Sequence, residues 1–147
     1  MKRMLSFVAA AGLVMAGVAG CSGSGDGGSG GDALTPEAVV GTWTLVDGKG
    51  PEGEVKPLAD HPIELVVQED GAFSGTSGCN NIMGTMVITD GVVDMGAIGQ
   101  TMMACEEDAM KVEYAYTQAL NEVTAGSATA DKLTLRGTDT ELNYKKS

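Results

Sequence analysis

Residues 63–77 read Ile-Glu-Leu-Val-Val-Gln-Glu-Asp-Gly-Ala-Phe-Ser-Gly-Thr-Ser, and this stretch predicts the class of fold. Its first part, 63–68, alternates in polarity and places three apolar side chains on one face: Ile63, Leu65 and Val67. Such alternation is typical of a strand with one buried side. Asp70-Gly71 is a strong signal for a tight hairpin turn. We therefore expect a second strand over 72–77, paired antiparallel to the first.

The same pattern recurs on both sides of this stretch. Residues 41–46 (Gly-Thr-Trp-Thr-Leu-Val) predict an earlier strand that ends at Asp47-Gly48. Two further hairpins are predicted after it, formed by residues 86–89 with 92–95 and by residues 132–136 with 140–144. Between the first two strands, residues 48–62 contain three prolines and three glycines and predict a loop.

One segment, Glu106 to Val123, has a helical period instead. It presents an apolar face made of Val112, Tyr116, Ala119, Leu120 and Val123. Three acidic residues in its first turn favour a helix start, and Gly126 stands where a C-cap is expected. An earlier Thr35-Pro36 pair predicts one short helical turn.

These elements predict an α+β domain: a curled antiparallel sheet of about six to eight strands packed on one α-helix. The domain also contains six methionines, for which we expect a core-filling role rather than a metal site. They are Met83, Met86, Met95, Met102, Met103 and Met110.

The first twenty residues predict an export signal. Lys2 and Arg3 precede a short apolar run that is diluted by Ala and Gly, which favours a cleaved signal over a membrane-spanning helix. The run ends in Val18-Ala19-Gly20-Cys21, which resembles a bacterial lipobox. An ordinary cleavage site with an accidental cysteine is the alternative. We favour lipidation of Cys21, because an exposed free thiol is a liability in an oxidising compartment.

A glycine- and serine-rich segment follows Cys21. We assign residues 1–20 to the signal peptide, 21–34 to the lipidated cysteine and its tether, and 35–147 to the folded domain. The eleven residues 22–32 (SGSGDGGSGGD) cannot bury apolar area and predict a flexible coil with a reach of about 18 Å.

The charge of the chain excludes one broad function class. Nine Lys and Arg residues against twenty Asp and Glu residues give a net charge of −11. Loss of Lys2 and Arg3 with the signal leaves 7 − 20 = −13. Such a chain lacks the cations that nucleic-acid binding requires, and an anionic membrane would repel it apart from its anchor. No calcium-loop motif occurs, and we expect neither a metal nor a cofactor.

Cys79 and Cys105 are the remaining cysteines. An even pair in an exported domain suggests a disulfide across 26 residues, while two buried free thiols remain the alternative. The one histidine, His61, lies in the predicted loop between Asp60 and Pro62. A Cys–His pair is conceivable, but a disulfide would consume both thiols, so we expect no enzyme.

The surroundings of these cysteines carry a family resemblance. Ser77-Gly78-Cys79-Asn80-Asn81-Ile82-Met83-Gly84 and Thr101-Met102-Met103-Ala104-Cys105 resemble the paired signatures of the META domain, the family of the heat-shock protein HslJ. The resemblance extends over about residues 38–145. It implies an exported or envelope-anchored protein, in some members stress-related, and it supplies no catalytic residues. We expect fold-supporting roles and a possible contact loop for Gly78, Asn80, Asn81, Gly84, Met103 and Ala104.

The sequence therefore predicts a non-enzymatic lipoprotein of the bacterial cell envelope. Its expected partners are the lipid bilayer, reached through Cys21, and an envelope protein or small ligand bound by the domain. A peptidase inhibitor with a disulfide-braced loop is the alternative, and a Cys/His-dependent enzyme is a more remote one.

Overall fold

The fold described here is that of a computed structural model, which describes residues 32–147. The predicted signal peptide, Cys21 and residues 22–31 of the tether lie outside the described residues. The described residues form twelve strands and two helices in the order β1 (Asp32–Ala33), α1 (Pro36–Val39), β2 (Gly41–Gly50), β3 (Gly53–Val55), β4 (Ile63–Val67), β5 (Ala72–Ser77), β6 (Asn81–Thr85), β7 (Val87–Thr89), β8 (Val92–Asp94), β9 (Gly99–Gln100), α2 (Glu107–Asn121), β10 (Ala125–Ala128), β11 (Lys132–Arg136) and β12 (Glu141–Lys146).

All strands belong to one antiparallel sheet that curls into a half-barrel. The order along it is β7-β8-β10-β11-β12-β2-β4-β5-β6-β9, with β1 beside β10 and β3 beside β2. β6 and β7 lie near opposite ends of this order, yet only Met86 separates them along the chain. The sheet must therefore curl until its ends approach each other. Met86 is buried, and its backbone N–H donates to Gly71 O at 2.8 Å.

The helix α2 packs against the inner face of the curled sheet. Its buried side chains include Tyr116, Ala119 and Leu120, which join the apolar faces of the strands in one core. Gly50 of β2 permits close contact with α2, because a Cβ at this position would lie 2.6 Å from the Ala119 Cβ. Trp43 is buried in the same core, and its indole N–H donates to Val39 O at 2.7 Å.

Much of the predicted pattern is present. The strands β4 and β5, the three hairpins and the long helix lie where the sequence predicts them. In β4 the side chains of Ile63, Leu65 and Val67 are all buried, as the alternation requires. The Asp90-Gly91 turn has positive φ at both residues, 51° and 78°, which the tightest hairpin turns demand.

The strand count corrects the prediction of six to eight. β2 does not end at Asp47-Gly48 but continues to Gly50, and β3 occupies part of the predicted loop 48–62. The strands that the sequence analysis missed are β1, β3, β6, β9 and β10. They are short or rich in small residues, so sheet hydrogen bonds rather than side-chain pattern define them.

Gly126 is not the C-cap of the long helix. The helix ends at Asn121, and Glu122 follows as its cap with a right-handed helical backbone. Gly126 instead lies inside β10, where a Cβ would approach the side chains of Leu34 and Leu135 to 3.0 Å and 3.2 Å. A glycine is therefore needed at position 126 because a larger side chain would not fit between these residues, and not because it ends the helix.

The fold includes residues that we predicted to be tether. Asp32 and Ala33 pair with Ala128 and Ser127 of β10, and Leu34 is 1% exposed in the core. The described fold thus begins before Thr35, the first residue of the predicted domain. Thr35 itself caps α1 as predicted, since its hydroxyl oxygen accepts from Ala38 N at 3.2 Å.

The methionines are divided between the core and the surface, which corrects the core-filling prediction for four of them. Met86 and Met95 are buried. The exposed ones are Met83, Met102, Met103 and Met110, with Met102 at 94% exposure. Their thioethers fill no core space, so the presence of Met102 and Met103 beside Cys105 in the sequence needs a different explanation.

Candidate functional site

The two cysteine signatures meet at one end of the sheet, and the first of them forms a tight hairpin. Ser77 ends β5, and its backbone N–H donates to Asn80 O at 2.8 Å. Only Gly78 and Cys79 lie between these residues. Gly78 has a φ of +101°, a conformation that glycine adopts without steric cost. The predicted loop after this strand is therefore a two-residue turn that leads directly into β6.

A buried carboxylate on α2 organises the turn. Glu113 is 7% exposed. Its Oε2 accepts from Asn80 N at 2.6 Å and from Ser77 Oγ at 2.7 Å, while its Oε1 accepts from Asn80 Nδ2 at 2.8 Å. Three donors thus satisfy a charge that burial would otherwise make costly.

The side chain of Asn80 links this carboxylate to the second signature. Its Oδ1 accepts from Met103 N at 2.6 Å and from Thr101 Oγ1 at 2.9 Å, and its Nδ2 also donates to Met103 O at 3.2 Å. These contacts fix the amide orientation, because oxygen and nitrogen each face partners of one kind only. Asn80 is therefore a buried bridge between α2 and residues 101–103 rather than an exposed contact residue.

A disulfide joins Cys79 to Cys105, with the two Cα atoms 5.9 Å apart. It ties the turn to the segment that leads into α2, two residues before the helix begins at Glu107. Residues 101–105, which we name the braced loop, are thus attached through the Thr101 hydroxyl, the Met103 backbone and the Cys105 sulfur. Segments fixed in this way lose little conformational entropy when they bind a partner.

The outer side of the braced loop is open to solvent. The side chain of Met102 is 94% exposed and that of Met103 is 56% exposed, and Ala104 is exposed as well. Met83 of neighbouring β6 is 53% exposed. Methionine is an adaptable apolar side chain that is overused at binding surfaces. The arrangement is a rigid backbone that presents flexible apolar side chains.

The predicted contact residues separate into two groups. Gly78 and Asn80 build the turn, and Gly84 lies under an aromatic ring, since a Cβ there would be 2.6 Å from Phe73 Cζ. Asn81 is exposed, although its backbone N–H donates to Thr101 Oγ1 at 3.0 Å. The side chains available for a partner are therefore those of Asn81, Met103 and Ala104, together with Met102.

Glu113 is the central residue that the sequence analysis did not assign to the site. A signal for it existed, because Glu113 precedes Tyr116 and Leu120 by three and seven residues and so shares their buried face of the helix. A charged residue in an apolar stripe needs buried partners. Ser77 and Thr101, which complete the network, are the first residues of the two cysteine signatures, but their polarity alone does not indicate that they bond to Glu113 and Asn80.

His61 does not form a pair with either cysteine. Its Nδ1 lies 2.9 Å from Gly78 O, and its Nε2 is 4.0 Å from the exposed carboxylate of Asp60. Both cysteine sulfurs of the site are in the disulfide.

Across residues 32–147, no group of three or more His, Cys, Asp and Glu side chains is arranged to hold a metal ion. None of the helices in this range combines the length and apolar character needed to cross a bilayer.

A second surface feature lies away from the cysteines. A shallow concavity of about 680 Å³ is found on the outer face of β2, β11 and β12. Its lining includes Lys132, Lys145, Thr134 and Asn143. The Asn143 amide donates to Asp47 Oδ1 at 2.9 Å, so part of this lining is already bonded internally.

Comparisons with known proteins bear on the family and the fold. The family model of the META domain matches residues 33–147. An NMR structure of a protein from Burkholderia xenovorans is similar, with 25% identity, a TM-score of 0.65, and coverage of 83% of this chain and 94% of that chain. No curated protein matches the chain.

Two further solved structures share the fold. One is an NMR structure with 23% identity, a TM-score of 0.59, and coverage of 77% of this chain and 95% of the other. The second is a crystal structure of a DUF4847 family protein from Bacteroides vulgatus, with 19% identity, a TM-score of 0.54, and coverage of 75% of this chain and 94% of that one. At these identities the likeness concerns the fold alone.

Proposed function

We propose a function from the premise that this chain belongs to the META domain family. The chain is a lipoprotein of the bacterial cell envelope, anchored through acylated Cys21, and its META domain binds a partner protein of the envelope without catalysing a reaction. The contact site is the braced loop. A role under envelope stress is what the resemblance to the heat-shock member of the family implies.

The exposure of Met102 carries the binding proposal. A side chain that is 94% exposed sits on a backbone fixed on both sides, by Asn80 and by the disulfide. An apolar side chain in this position gains nothing for folding. It gains free energy when a partner covers it, and the rigid backbone lowers the entropy cost of that step.

The absence of catalysis is proposed because the polar groups of the site are engaged in structural bonds. Glu113 accepts three hydrogen bonds, both sulfurs form the disulfide, and the Nδ1 of His61 contacts a backbone carbonyl. A catalytic acid, base or nucleophile must reach a substrate. Glu113 and the two cysteine sulfurs lack that freedom in this arrangement, and His61 has neither cysteine as a partner.

Fractionation of cells that express the full chain tests the anchor. We expect the wild-type chain in the membrane fraction and Cys21→Ser in the soluble fraction, because the acyl chains provide the membrane affinity. Ser24→Ala, a change in the same tether, serves as the matched control and should stay with the membrane. Membrane association of Cys21→Ser would contradict the proposal.

Site-specific crosslinking tests the contact loop. A photoreactive residue at position 102 should give a discrete crosslinked envelope protein, and Asn81→Arg beside the loop should abolish that product by obstructing the contact. The same photoreactive residue at position 46, where Val46 is 50% exposed on another face, is the matched control. Equal product from both positions would contradict a site at the braced loop.

A peptidase inhibitor is the second candidate, because an exposed side chain on a disulfide-braced backbone is also what a substrate-like inhibitor presents. If the crosslinked protein is a peptidase, the chain should inhibit its activity in proportion to the amount of complex that the two proteins form. Met102→Asp should then raise the inhibition constant by at least tenfold, since it places a charge in an apolar pocket, at a cost of at least about 1.4 kcal/mol.

A further inference from the structure

The braced loop lies beside an exposed flank of α2. The Nδ2 of Asn80 donates both to Met103 O at 3.2 Å and to Glu113 Oε1 at 2.8 Å, so the loop follows the first two turns of the helix. Met110 precedes Glu113 by three residues, and Tyr114 follows Met110 by four. Residues spaced in this way are neighbours on a helix surface. Both side chains are exposed.

Exposed apolar side chains are concentrated on this surface. Eight large apolar side chains are exposed within residues 32–147, and four of them belong to the braced loop or to this flank of α2. We name these four the apolar flank: Met102, Met103, Met110 and Tyr114. The other four are spread over four different strands. Methionine and tyrosine are residue types that recur at binding surfaces, since thioethers adapt their shape and phenol rings bury a large area.

Three carboxylates lie within the apolar flank. In the sequence they separate Met103 from Met110, and all three are exposed. Glu107 and Asp108 share one cation, Lys111, with Nζ–O distances of 2.7 Å and 3.8 Å. The third, Glu106, precedes the helix without a side-chain cap bond, and it forms no ion pair with any described residue. One ammonium therefore balances three carboxylates.

The neighbouring elements add more acids than cations. Between Lys56 and Lys132 the chain has a single Lys or Arg, which is Lys111. A cavity of about 340 Å³ beside Tyr114 is lined by Glu52 and Glu54. Strand β4 and the loop before it contribute two acids, one cation and the imidazole that contacts Gly78 O. The acids around the apolar flank are thus Glu52, Glu54, Asp60, Glu64, Glu106, Glu107 and Asp108, against Lys56, Lys111 and His61.

From this arrangement we infer that the partner presents a basic amphipathic segment, in which Lys or Arg side chains surround an apolar anchor. The inference rests on the proposed binding function of the braced loop and names the chemistry of its partner. The anchor is covered by the apolar flank, and the cations lie against Glu106 and its two acidic neighbours. An acidic segment is repelled by the same carboxylates, so the charge selects among apolar partners as well as attracting the correct one.

Designed peptides test this chemistry in the absence of the natural partner. The full chain with Cys21→Ser is used, because it carries no acyl group that would bring lipid into the assay. Two amphipathic peptides share their leucine positions and differ only in Lys or Glu on the polar face, and a third has Lys but replaces leucine by serine. We expect the Lys/Leu peptide to bind and to shift the amide resonances of residues 102–110. The other two should bind more weakly by about tenfold or more in calorimetry.

A matched pair of charge variants locates the binding site. Glu106→Gln/Glu107→Gln should raise the dissociation constant of the Lys/Leu peptide about fivefold, as expected for the loss of two exposed ion pairs, and high salt should remove the difference. Glu37→Gln/Glu69→Gln removes the same charge at the other end of β5, and Glu37 also lies in the first turn of a helix. This control should leave the dissociation constant unchanged. Equal effects of the two variants, equal binding of the Glu/Leu peptide, or no binding of the Lys/Leu peptide would overturn the inference.

Crosslinking in cells separates this inference from the proposed function. The product formed by a photoreactive residue at position 102 should decrease in Glu106→Gln/Glu107→Gln and persist in Glu37→Gln/Glu69→Gln. Mass spectrometry of the crosslinked peptide should show Lys or Arg around apolar residues. An acidic crosslinked segment, or a yield that neither variant changes, would overturn the inference while leaving the braced loop as a contact site. The lack of any discrete product from position 102 would overturn both.

Discussion

At the scale of single residues, the pairing of Glu113 with Asn80 determines the geometry of the site. Each oxygen of the Glu113 carboxylate faces a donor, and Asn80 cannot turn over because its Oδ1 accepts from Met103 N and Thr101 Oγ1. A carboxylate fits this environment, and an amide of the same shape does not. The charge is therefore a structural requirement rather than a sign of acid–base chemistry.

Glu113→Gln should destabilise the domain by about 2 kcal/mol, because the glutamine NH₂ must face another donor in either orientation. Urea unfolding followed by the fluorescence of Trp43 measures the change. Glu107→Gln is the control, since Glu107 is exposed and its ion pair with Lys111 at 2.7 Å contributes little, so the effect should stay within about 0.5 kcal/mol. Equal effects of the two substitutions would show that the buried network does not stabilise the fold.

At the same scale, Leu34 tests where the folded domain begins. Leu34→Ala should cost about 3 kcal/mol of unfolding free energy, as expected for a buried leucine that leaves a cavity. Met102→Ala, at a fully solvated side chain, should change stability by less than about 0.5 kcal/mol. A Leu34→Ala variant as stable as the wild-type chain would place the start of the fold after Leu34.

At the scale of elements, strands with a strong side-chain pattern were predictable and strands without one were not. β4, β5 and α2 follow from their periodicity, because burial of one face fixes which residues alternate. β10 reads Ala-Gly-Ser-Ala and β9 reads Gly-Gln, so nothing in their side chains indicates a strand. Such strands form because the adjacent strands of the sheet offer backbone hydrogen bonds. Those adjacent strands lie elsewhere in the chain, so the local sequence does not indicate them.

The site shows the same division between local and distant information. The cysteine signatures indicate the two segments that the structure brings together, and the hairpin at Gly78 is local. The bond from Asn80 to Glu113 spans 33 residues, and the exposure of Met102 is a result of tertiary packing rather than of the residues next to it in the chain. Composition alone favoured a core role for all six methionines, and packing around the braced loop leaves Met83, Met102 and Met103 exposed.

The disulfide between the turn after β5 and the braced loop should account for a large share of the unfolding free energy. Replacement of both cysteines, Cys79→Ala/Cys105→Ala, should lower the unfolding free energy by about 3–4 kcal/mol, because a 26-residue loop becomes free in the unfolded chain. Urea unfolding of the variant and the wild type, without reductant, measures the loss. Identical midpoints would contradict a closed disulfide in the purified protein.

At the scale of the whole molecule, a buried tyrosine pair couples the sheet to the helix. The hydroxyls of Tyr116 and Tyr144 lie 3.1 Å apart in the core. Burial raises the pKa of each phenol above its ordinary value of 10.0. The folded state therefore keeps both phenols neutral while the unfolded chain ionises, so the stabilisation is complete below pH 10 and is lost as pH rises further.

The unfolding free energy should fall above pH 10 by up to about 1.4 kcal/mol per pH unit for each of the two tyrosines. Tyr116→Phe and Tyr144→Phe should each halve the tyrosine contribution to this slope, measured by urea unfolding across alkaline pH. A slope that neither substitution changes would mean that the two phenols ionise as readily in the folded chain as in the unfolded one.

The most direct test is the intact mass of the mature protein purified from membranes. The protein is alkylated with and without prior reductant, so one measurement reports both the acylation of Cys21 and the disulfide of the domain. We predict a chain that begins at Cys21 and carries acyl groups, with no alkylated cysteine until reductant is added and two alkylated cysteines afterwards. A mature chain with an unmodified Cys21, or with Cys79 and Cys105 alkylated in the absence of reductant, would contradict a lipid-anchored domain that presents a braced loop.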